Sequence, residues 1–390
     1  MTAAEDRLHG IGATRLAVRR LTLTDFRSYA RLRMEADSRP VVLTGPNGAG
    51  KTNLLEALSF LTPGRGMRRA RLDEVARQGA GPGAPWAVAA VLEGPGGARD
   101  VGTGREAGSE RRTVRIDGEA AKPGDLADIA SALWLTPAMD RLFIEGAGGR
   151  RRFLDRLVLG LDAAHASRSA RYEHAMRERT RLLKAGAADP GWLAALEETM
   201  AREGVAVATA RRDTVAALDE ACRQARGPFP AARLELAGEV EAWAAALPPA
   251  EAEEKLRAAL RFARARDEAA GAATTGPHRA DLTVRHAAKD MPAGQCSTGE
   301  QKAVLVSIVL AQARVRTARR GVAPLLLLDE VVAHLDATRR AALFDQLAGL
   351  TAQSWMTGTD EQLFDGFGDR AQFFRVADAM VAPRNGVVDP

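Results

Sequence analysis

The chain has 390 residues, enough for two or three domains at roughly 150 residues each. Hydrophobic residues are 46% and charged residues 27% of it, which excludes an intrinsically disordered chain as the overall description. The net charge of +5 is weakly basic and compatible with a nucleic-acid partner. No apolar run reaches the ~18 residues of a membrane-spanning helix. Cys222 and Cys296 are too few for a disulfide framework or a four-ligand zinc site.

Residues 1–13 read as a disordered lead-in without a signal-peptide core, so the chain is expected in the cytoplasm. Alternation of apolar and polar residues predicts strands at Leu16–Val18, Leu21–Thr24 and Arg31–Met34. Pro40–Thr44 is a short apolar run, the mark of a buried strand. A glycine-rich loop, Gly45–Gly50, and a helix carrying Leu54, Leu55, Leu58 and Leu61 follow it. Residues 79–125 hold strand candidates at Trp86–Leu92 and Arg112–Ile116, the second running into an Asp117-Gly118 turn. Ala132–Thr136 reads as another buried strand. Helices are then expected over 149–186, 192–226 and 250–269, broken at Pro190-Gly191, Gly227–Pro230 and Pro248-Pro249. The strand pattern returns at Asp281–Arg285. A helix from near Gly299, a strand at 324–328, a helix at 337–349, a strand at 353–357 and a last strand near 373–381 complete the chain.

Gly45-Pro46-Asn47-Gly48-Ala49-Gly50-Lys51-Thr52 fits G-x-x-x-x-G-K-[ST], placed between a buried strand and a helix. Such a loop wraps backbone N–H groups around phosphate oxygens, with the helix dipole behind them. Lys51 is expected to reach the β- and γ-phosphates, and Thr52 to bind Mg²⁺. No Asn-Lys-x-Asp motif follows, so ATP is expected rather than GTP. Leu325–Leu328 ends in Asp329-Glu330. Strand burial accounts for the leucines but not for the two carboxylates. Asp329 suits a Mg²⁺ ligand, and Glu330 suits a group that orients or deprotonates the attacking water.

Ser297-Thr298-Gly299-Glu300 opens an apolar helix. Ser297 and Glu300 have capping-box spacing, which explains them structurally. The same helix N-terminus could instead be a second phosphate site, with Ser297 and Gly299 touching a γ-phosphate. The order phosphate loop, serine-glycine helix, acidic strand end resembles the ABC-type ATPases. That resemblance implies action in trans: two chains close over two ATP molecules. Ala333-His334-Leu335-Asp336 stands where that class has its D-loop. The implied fold is an α/β ABC-type ATPase head with a β-rich lobe, 14–145 plus 270–390. An all-helical insertion, 146–269, interrupts it as a short arm.

The insertion is longer than in transport ATPase subunits and far shorter than an SMC coiled coil. Leu21–Tyr29, Gly149–Asp155 and Thr275–Leu282 resemble blocks of the RecF recombination-mediator family, and the likeness runs from about residue 14 to 380. The resemblance implies an ATP-dependent DNA-binding homodimer acting at single-strand gaps and their junctions. Its roles would be recombinational repair, replication recovery and the SOS response, with RecR and RecO as partners and no membrane partner. Slow ATP hydrolysis would release it. The ATPase subunit of a membrane transporter and a short SMC-like structural head are the alternatives. Two features depart from the family: Glu330 where a second Asp is common, and Ala333-His334 where Ser-Glu is common. No glutamine stands in Thr136–Asp140, where the class places its Q-loop.

Two stretches are candidates for DNA backbone contact. Arg65, Arg68, Arg69, Arg71 and Arg77 form the first. The second is 150–184, with ten basic and four acidic residues. Ion pairs on a solvated helix face, such as Glu173–Arg177, are the plain alternative. His278 suits either a phosphate-near position or a satisfied core site. Trp134, Trp192, Trp243 and Trp355 are expected in the core.

Overall fold

The computed structural model describes residues 15–81, 83–186, 189–350 and 352–384; the lead-in expected at 1–13 lies outside them. In chain order the elements are β1 (Ala17–Phe26), β2 (Tyr29–Glu35), β3 (Val41–Thr44), α1 (Lys51–Ser59), β4 (Trp86–Gly94), β5 (Gly97–Arg105), β6 (Thr113–Ile116), β7 (Glu119–Ala121) and β8 (Ala132–Leu135). Then come α2 (Ala147–Leu159), α3 (His165–Lys184), α4 (Pro190–Arg223), β9 (Ala232–Ala237), α5 (Glu239–Ala246), α6 (Pro249–Phe262), α7 (Arg264–Ala270), β10 (Asp281–His286) and β11 (Met291–Pro292). Last are α8 (Thr298–Arg320), β12 (Leu325–Leu328), α9 (Ala337–Gly349), β13 (Ser354–Gly358), β14 (Gln372–Ala377) and β15 (Met380–Pro383).

The chain divides into two units. One comprises Met1–Met139, Arg226–Phe229 and Ala313–Pro390; the other comprises Asp140–Ala225 and Pro230–Gln312. This corrects the expected boundaries, because 270–312 folds with the insertion and not with the head. Strand pairing is the cause: β10 runs antiparallel to β9, setting Leu282 opposite Leu236 and Val284 opposite Leu234. The insertion is therefore not all helical. The alternation of Leu234 and Leu236 with Arg233 and Glu235 is a strand pattern in plain view.

In the first unit a parallel sheet has the order β15-β14-β3-β13-β12-β8, with β15 added antiparallel at the edge. Every residue of β3, β12 and β13 is buried, as in a parallel sheet covered on both faces. An antiparallel sheet, β2-β1-β4-β5-β6-β7, is the β-rich lobe. Its Asp117-Gly118 turn has positive φ at both residues, 51° and 86°, as a two-residue hairpin of this hand demands. The leucine face of α1 joins one core with Phe26, Phe60 and Trp86. The Phe60 and Trp86 rings lie 5.2 Å apart. At the far end of α1, Arg112 donates to the carbonyls of Phe60 and Gly64. A cation there complements the helix dipole. Burial pushes the Arg112 pKa down to about 10.

The second unit packs α2–α7 and the start of α8 with the sheet β11-β10-β9. The helix expected over 149–186 is two helices. Asp162 accepts the Ala164 amide at 3.0 Å between them, a local bond that competes with helix continuation. A buried charge network pins α3, α4 and α7. Arg179 donates to Glu197 at 3.0 Å and to Asp267 at 2.6 Å, and Arg264 donates to Glu197 at 2.6 Å. Trp355 is fully buried, but Trp192 is 52% exposed and departs from the core expectation. It lies in the first turn of α4, where its neighbour Leu193 takes the packed face. Among the described residues no helix is long and apolar enough to cross a membrane.

Candidate nucleotide-binding site

The phosphate loop joins β3 to α1, and its glycines hold backbone that other residues rarely adopt. Gly45 has φ 151°, and a Cβ there would collide with the Val376 carbonyl oxygen. Gly50 has φ 109° and caps α1, with the Tyr29 ring against it. Tyr29 Oη donates to the Gly50 carbonyl at 3.1 Å. Pro46, Asn47 and Gly48 are exposed at the crest of the loop, whereas Ala49 is buried. Lys51 is buried and donates to the carbonyls of Gly45 at 2.6 Å and Pro46 at 2.9 Å. Burial lowers its pKa, while the charges of Glu330 and Asp329 push it back up. The ammonium is thus held across the loop by weak carbonyl acceptors that phosphate oxygens can replace.

The acidic strand end meets this loop, as expected. Thr52 Oγ1 donates to Asp329 Oδ1 at 2.9 Å. Thr357, at the end of β13, donates to the same oxygen at 2.8 Å. The Glu330 amide donates to Thr357 Oγ1 at 2.9 Å. Thr52 and Asp329 offer adjacent hard oxygen donors, the kind that Mg²⁺ takes alongside phosphates. No group of three or more His, Cys, Asp or Glu able to hold a metal alone occurs among the described residues. A metal shared with a triphosphate needs none. Lys51, Thr52, Asp329 and Glu330 all belong to the first unit.

The 21–29 block is explained by its grip on α1. Arg27 donates to both oxygens of the fully buried Glu56, at 2.9 and 2.6 Å. Arg68 adds a third bond to Glu56 at 3.1 Å, and Ser28 accepts from Asn53 at 2.9 Å. Removing one partner of a buried pair strands the other charge. Arg27→Ala is therefore expected to destabilise the protein by about 3 kcal/mol, read as a lower urea midpoint. An unchanged midpoint would show that Arg68 alone suffices for Glu56.

Ser297 and Gly299 lie in the second unit, at the start of α8. The Ser297 amide and hydroxyl bond Glu300 Oε2 at 3.1 and 3.0 Å, and Lys289 meets Glu300 Oε1 at 2.5 Å. Lys289 first, then Ser297, hold the Glu300 carboxyl down to about 2. The capping box is real, and nothing lies within 4 Å of where a Gly299 Cβ would be. The turn is open to an approaching group. Asp336, in the D-loop position, caps α9 by accepting the Arg339 amide at 2.8 Å, and Ala333 and His334 are exposed. Asp140, in the stretch where the ABC class places its Q-loop, pairs with the buried Lys302 at 3.2 Å.

The 149–155 and 275–282 blocks lock onto each other. Arg150 donates to both oxygens of Asp281, at 2.8 and 2.7 Å, and Arg151 to the Ala280 carbonyl at 2.7 Å. Arg211 links the Pro277 carbonyl to Asp155, which also meets His165 at 2.9 Å. Burial raises the Asp155 pKa, but the bonds from His165 and Arg211 outweigh it and hold the carboxyl at about 2. His278 donates from Nε2 to the Ala273 carbonyl at 2.8 Å and accepts from Tyr172 Oη at Nδ1. It is a satisfied structural histidine. Ion pairs also occupy much of the 150–184 stretch: Arg168 with Asp162, Arg171 with Glu203, Arg177 with Glu173 and Arg181 with Glu178. In the first basic stretch Arg68, Arg71 and Arg77 are paired. Arg65 and Arg69 are exposed.

Comparison with known proteins agrees with this geometry. Residues 17–380 match the family described as RecF/RecN/SMC N terminal domain. The DNA replication and repair protein RecF of Caulobacter vibrioides (strain ATCC 19089 / CIP 103742 / CB 15) is 54% identical over 372 residues, covering 92% of this chain and 96% of that protein. The DNA replication and repair protein RecF of Rhizobium meliloti (strain 1021) is 51% identical over 368 residues, covering 93% and 98%. A solved structure described as the recombination mediator protein RecF-ATPrS in the RecFOR pathway superposes with a TM-score of 0.82 at 19% identity, covering 95% of this chain and 99% of that one. An Smc head domain derived from Pyrococcus furiosus gives a TM-score of 0.52 at 16% identity, covering 94% and 96%. These structural likenesses show a shared ABC-type ATPase fold.

Proposed function

Because this chain belongs to the RecF family of DNA replication and repair proteins, we propose that it is a DNA clamp opened and closed by ATP. One observation carries the reading: Lys51, Thr52, Asp329 and Glu330 converge at one end of the parallel sheet, joined by the bond of Thr52 to Asp329. Gly45–Thr52 would cradle the triphosphate, and Thr52 and Asp329 would hold Mg²⁺, which neutralises phosphate charge when bound. Glu330 would take a proton from the attacking water. Ser297 and Gly299 would complete the site of a second copy, so that ATP joins two chains. Hydrolysis is expected to be slow, because it resets a switch. Single-strand gaps and their junctions are the expected DNA targets, and the cytoplasm the expected location. RecR and RecO are the expected partners; RecFOR is the pathway in which the ATPrS-bound structural neighbour is placed.

Ser297→Arg tests the joining role. ATP binding should stay within about threefold, since losing the cap costs the helix only about 1 kcal/mol. ATP-dependent dimers should vanish on sizing columns. ATP-dependent binding to gapped DNA should vanish with them, whereas wild-type binding should weaken steeply with salt. Dimers of normal stability would leave Ser297 a helix cap and nothing more.

A further inference from the structure

We propose that Thr357 is a positioning residue for ATP hydrolysis: its hydroxyl ties the Asp329 side chain to the Glu330 backbone and so sets the aim of Glu330. The inference rests on the reading of Glu330 as the group that activates water. Thr357 is fully buried near the end of β13, beside β12, where Leu328 lies opposite Met356. A hydroxyl has one proton and two lone pairs. The proton goes to Asp329 Oδ1 at 2.8 Å, which leaves a lone pair for the Glu330 N–H at 2.9 Å. Both polar functions of one buried side chain are therefore committed to the two consecutive carboxylate residues. Asp329 Oδ1 also receives Thr52 Oγ1 from α1, so one oxygen gathers the phosphate-loop helix and the neighbouring strand.

The Glu330 backbone shows why such a tie is needed. Its φ is 52°, in the left-handed region that residues with a Cβ occupy only at a cost. Here the chain leaves β12 at once, and Glu330 turns out of line with the strand. The bond from its amide to Thr357 holds that conformation, and with it the direction in which the Cα–Cβ bond leaves. A carboxylate that must take a proton from water works only within hydrogen-bond reach, so a small rotation here alters rate more than affinity. ATP affinity rests on the loop, on Lys51 and on the Thr52–Asp329 pair. Of these Thr357 touches only Asp329, which keeps its bond from Thr52 when the Thr357 hydroxyl is removed.

Packing and positioning make opposite forecasts for two variants. Valine matches threonine in shape but lacks the hydroxyl; serine keeps the hydroxyl and loses a methyl group. If Thr357 only fills space, Val should behave as wild type and Ser should be the impaired variant. On the positioning role, Thr357→Val should slow ATP turnover by about 10- to 100-fold. Its ATP affinity, measured by equilibrium binding with Mg²⁺, should stay within about threefold. The ATP-induced dimer should outlast that of wild type on sizing columns. Thr357→Ser should recover most of the rate. In a Glu330→Gln background, Thr357→Val should add little further loss, because it acts through Glu330. If valine does not fold, Thr357→Ser against Thr357→Ala, which differ by the hydroxyl alone, repeats the comparison. Wild-type turnover in Thr357→Val, while Glu330→Gln is slow, would overturn the positioning role and leave Glu330 standing. Wild-type turnover in Glu330→Gln would remove the Glu330 reading, and the role of Thr357 with it.

Discussion

Lys51→Met should lower ATP affinity by about 100-fold or more and abolish ATP-dependent dimerisation. Methionine preserves the length and apolar stem of the side chain, so the packing around this buried position is retained. What is lost is a cation with three donors, two of which already bond the Gly45 and Pro46 carbonyls at 2.6 and 2.9 Å. Phosphate oxygens are far stronger acceptors than these carbonyls. Hydrogen bonds to charged groups contribute about 1.5–3 kcal/mol each, so two such bonds account for the expected loss. The substitution would also leave Asp329 and Glu330 facing the triphosphate without the cation that offsets them. Equilibrium nucleotide binding and sizing with ATP read the two effects separately. ATP-stable dimers of this variant would refute the role of Lys51 as the link between nucleotide and assembly.

What was legible in the amino-acid order follows from how local each signal is. The phosphate loop, the buried strands β3 and β12, and α9 are encoded by residues within each segment, and they fold where their patterns place them. Strand β5 was not legible. Its sequence, GARDVGTGR, sets three glycines and three charged residues against only two β-branched ones, and antiparallel pairing with β4 makes it a strand. Strand β9 did show its alternation, but it sits among long helices, and only its pairing with β10 gives it a sheet to join. The site divides in the same way. Lys51, Thr52 and Asp329 announce themselves by motif and meet as forecast. Thr357 does not, because threonine in a buried strand reads as an ordinary strand former. Its hydrogen bonds reach residues far away in sequence. Glu56 is hidden likewise: on α1 it reads as a surface helix former, yet Arg27 and Arg68 make it a fully buried anchor.

The arginines show the limit of charge counting. The 150–184 stretch looks like an electrostatic footprint in sequence, but carboxylates from α3, α4, α7 and the turn before α3 neutralise much of it. Its Arg179 is wholly buried and structural. Exposed Arg65 and Arg69, in the loop after α1, are the better candidates for phosphate contact. That loop follows directly from the nucleotide-binding helix, so a phosphate contact there would sit close in sequence to the ATP site.

Glu330→Gln should do the opposite of Lys51→Met: it should trap the ATP-bound dimer. Glutamine keeps the volume and hydrogen-bonding reach of glutamate but cannot take a proton from water. Loss of a general base costs about 100- to 10,000-fold in rate. The backbone tie survives, because the bond to Thr357 comes from the Glu330 amide and not from its side chain. The phosphate loop is untouched, and one negative charge beside the triphosphate is gone, so ATP should bind at least as tightly as to wild type. Dimers formed with ATP should then persist on sizing columns long after wild-type dimers have decayed. Phosphate release should be slower by at least about 100-fold. Gapped DNA captured with ATP should likewise dissociate slowly from this variant, because opening the clamp needs the step that glutamine blocks. Normal phosphate release from Glu330→Gln would place the base elsewhere. Fast dimer decay without phosphate release would show that opening does not require hydrolysis, and the release step would have to be sought outside the chemistry of Glu330.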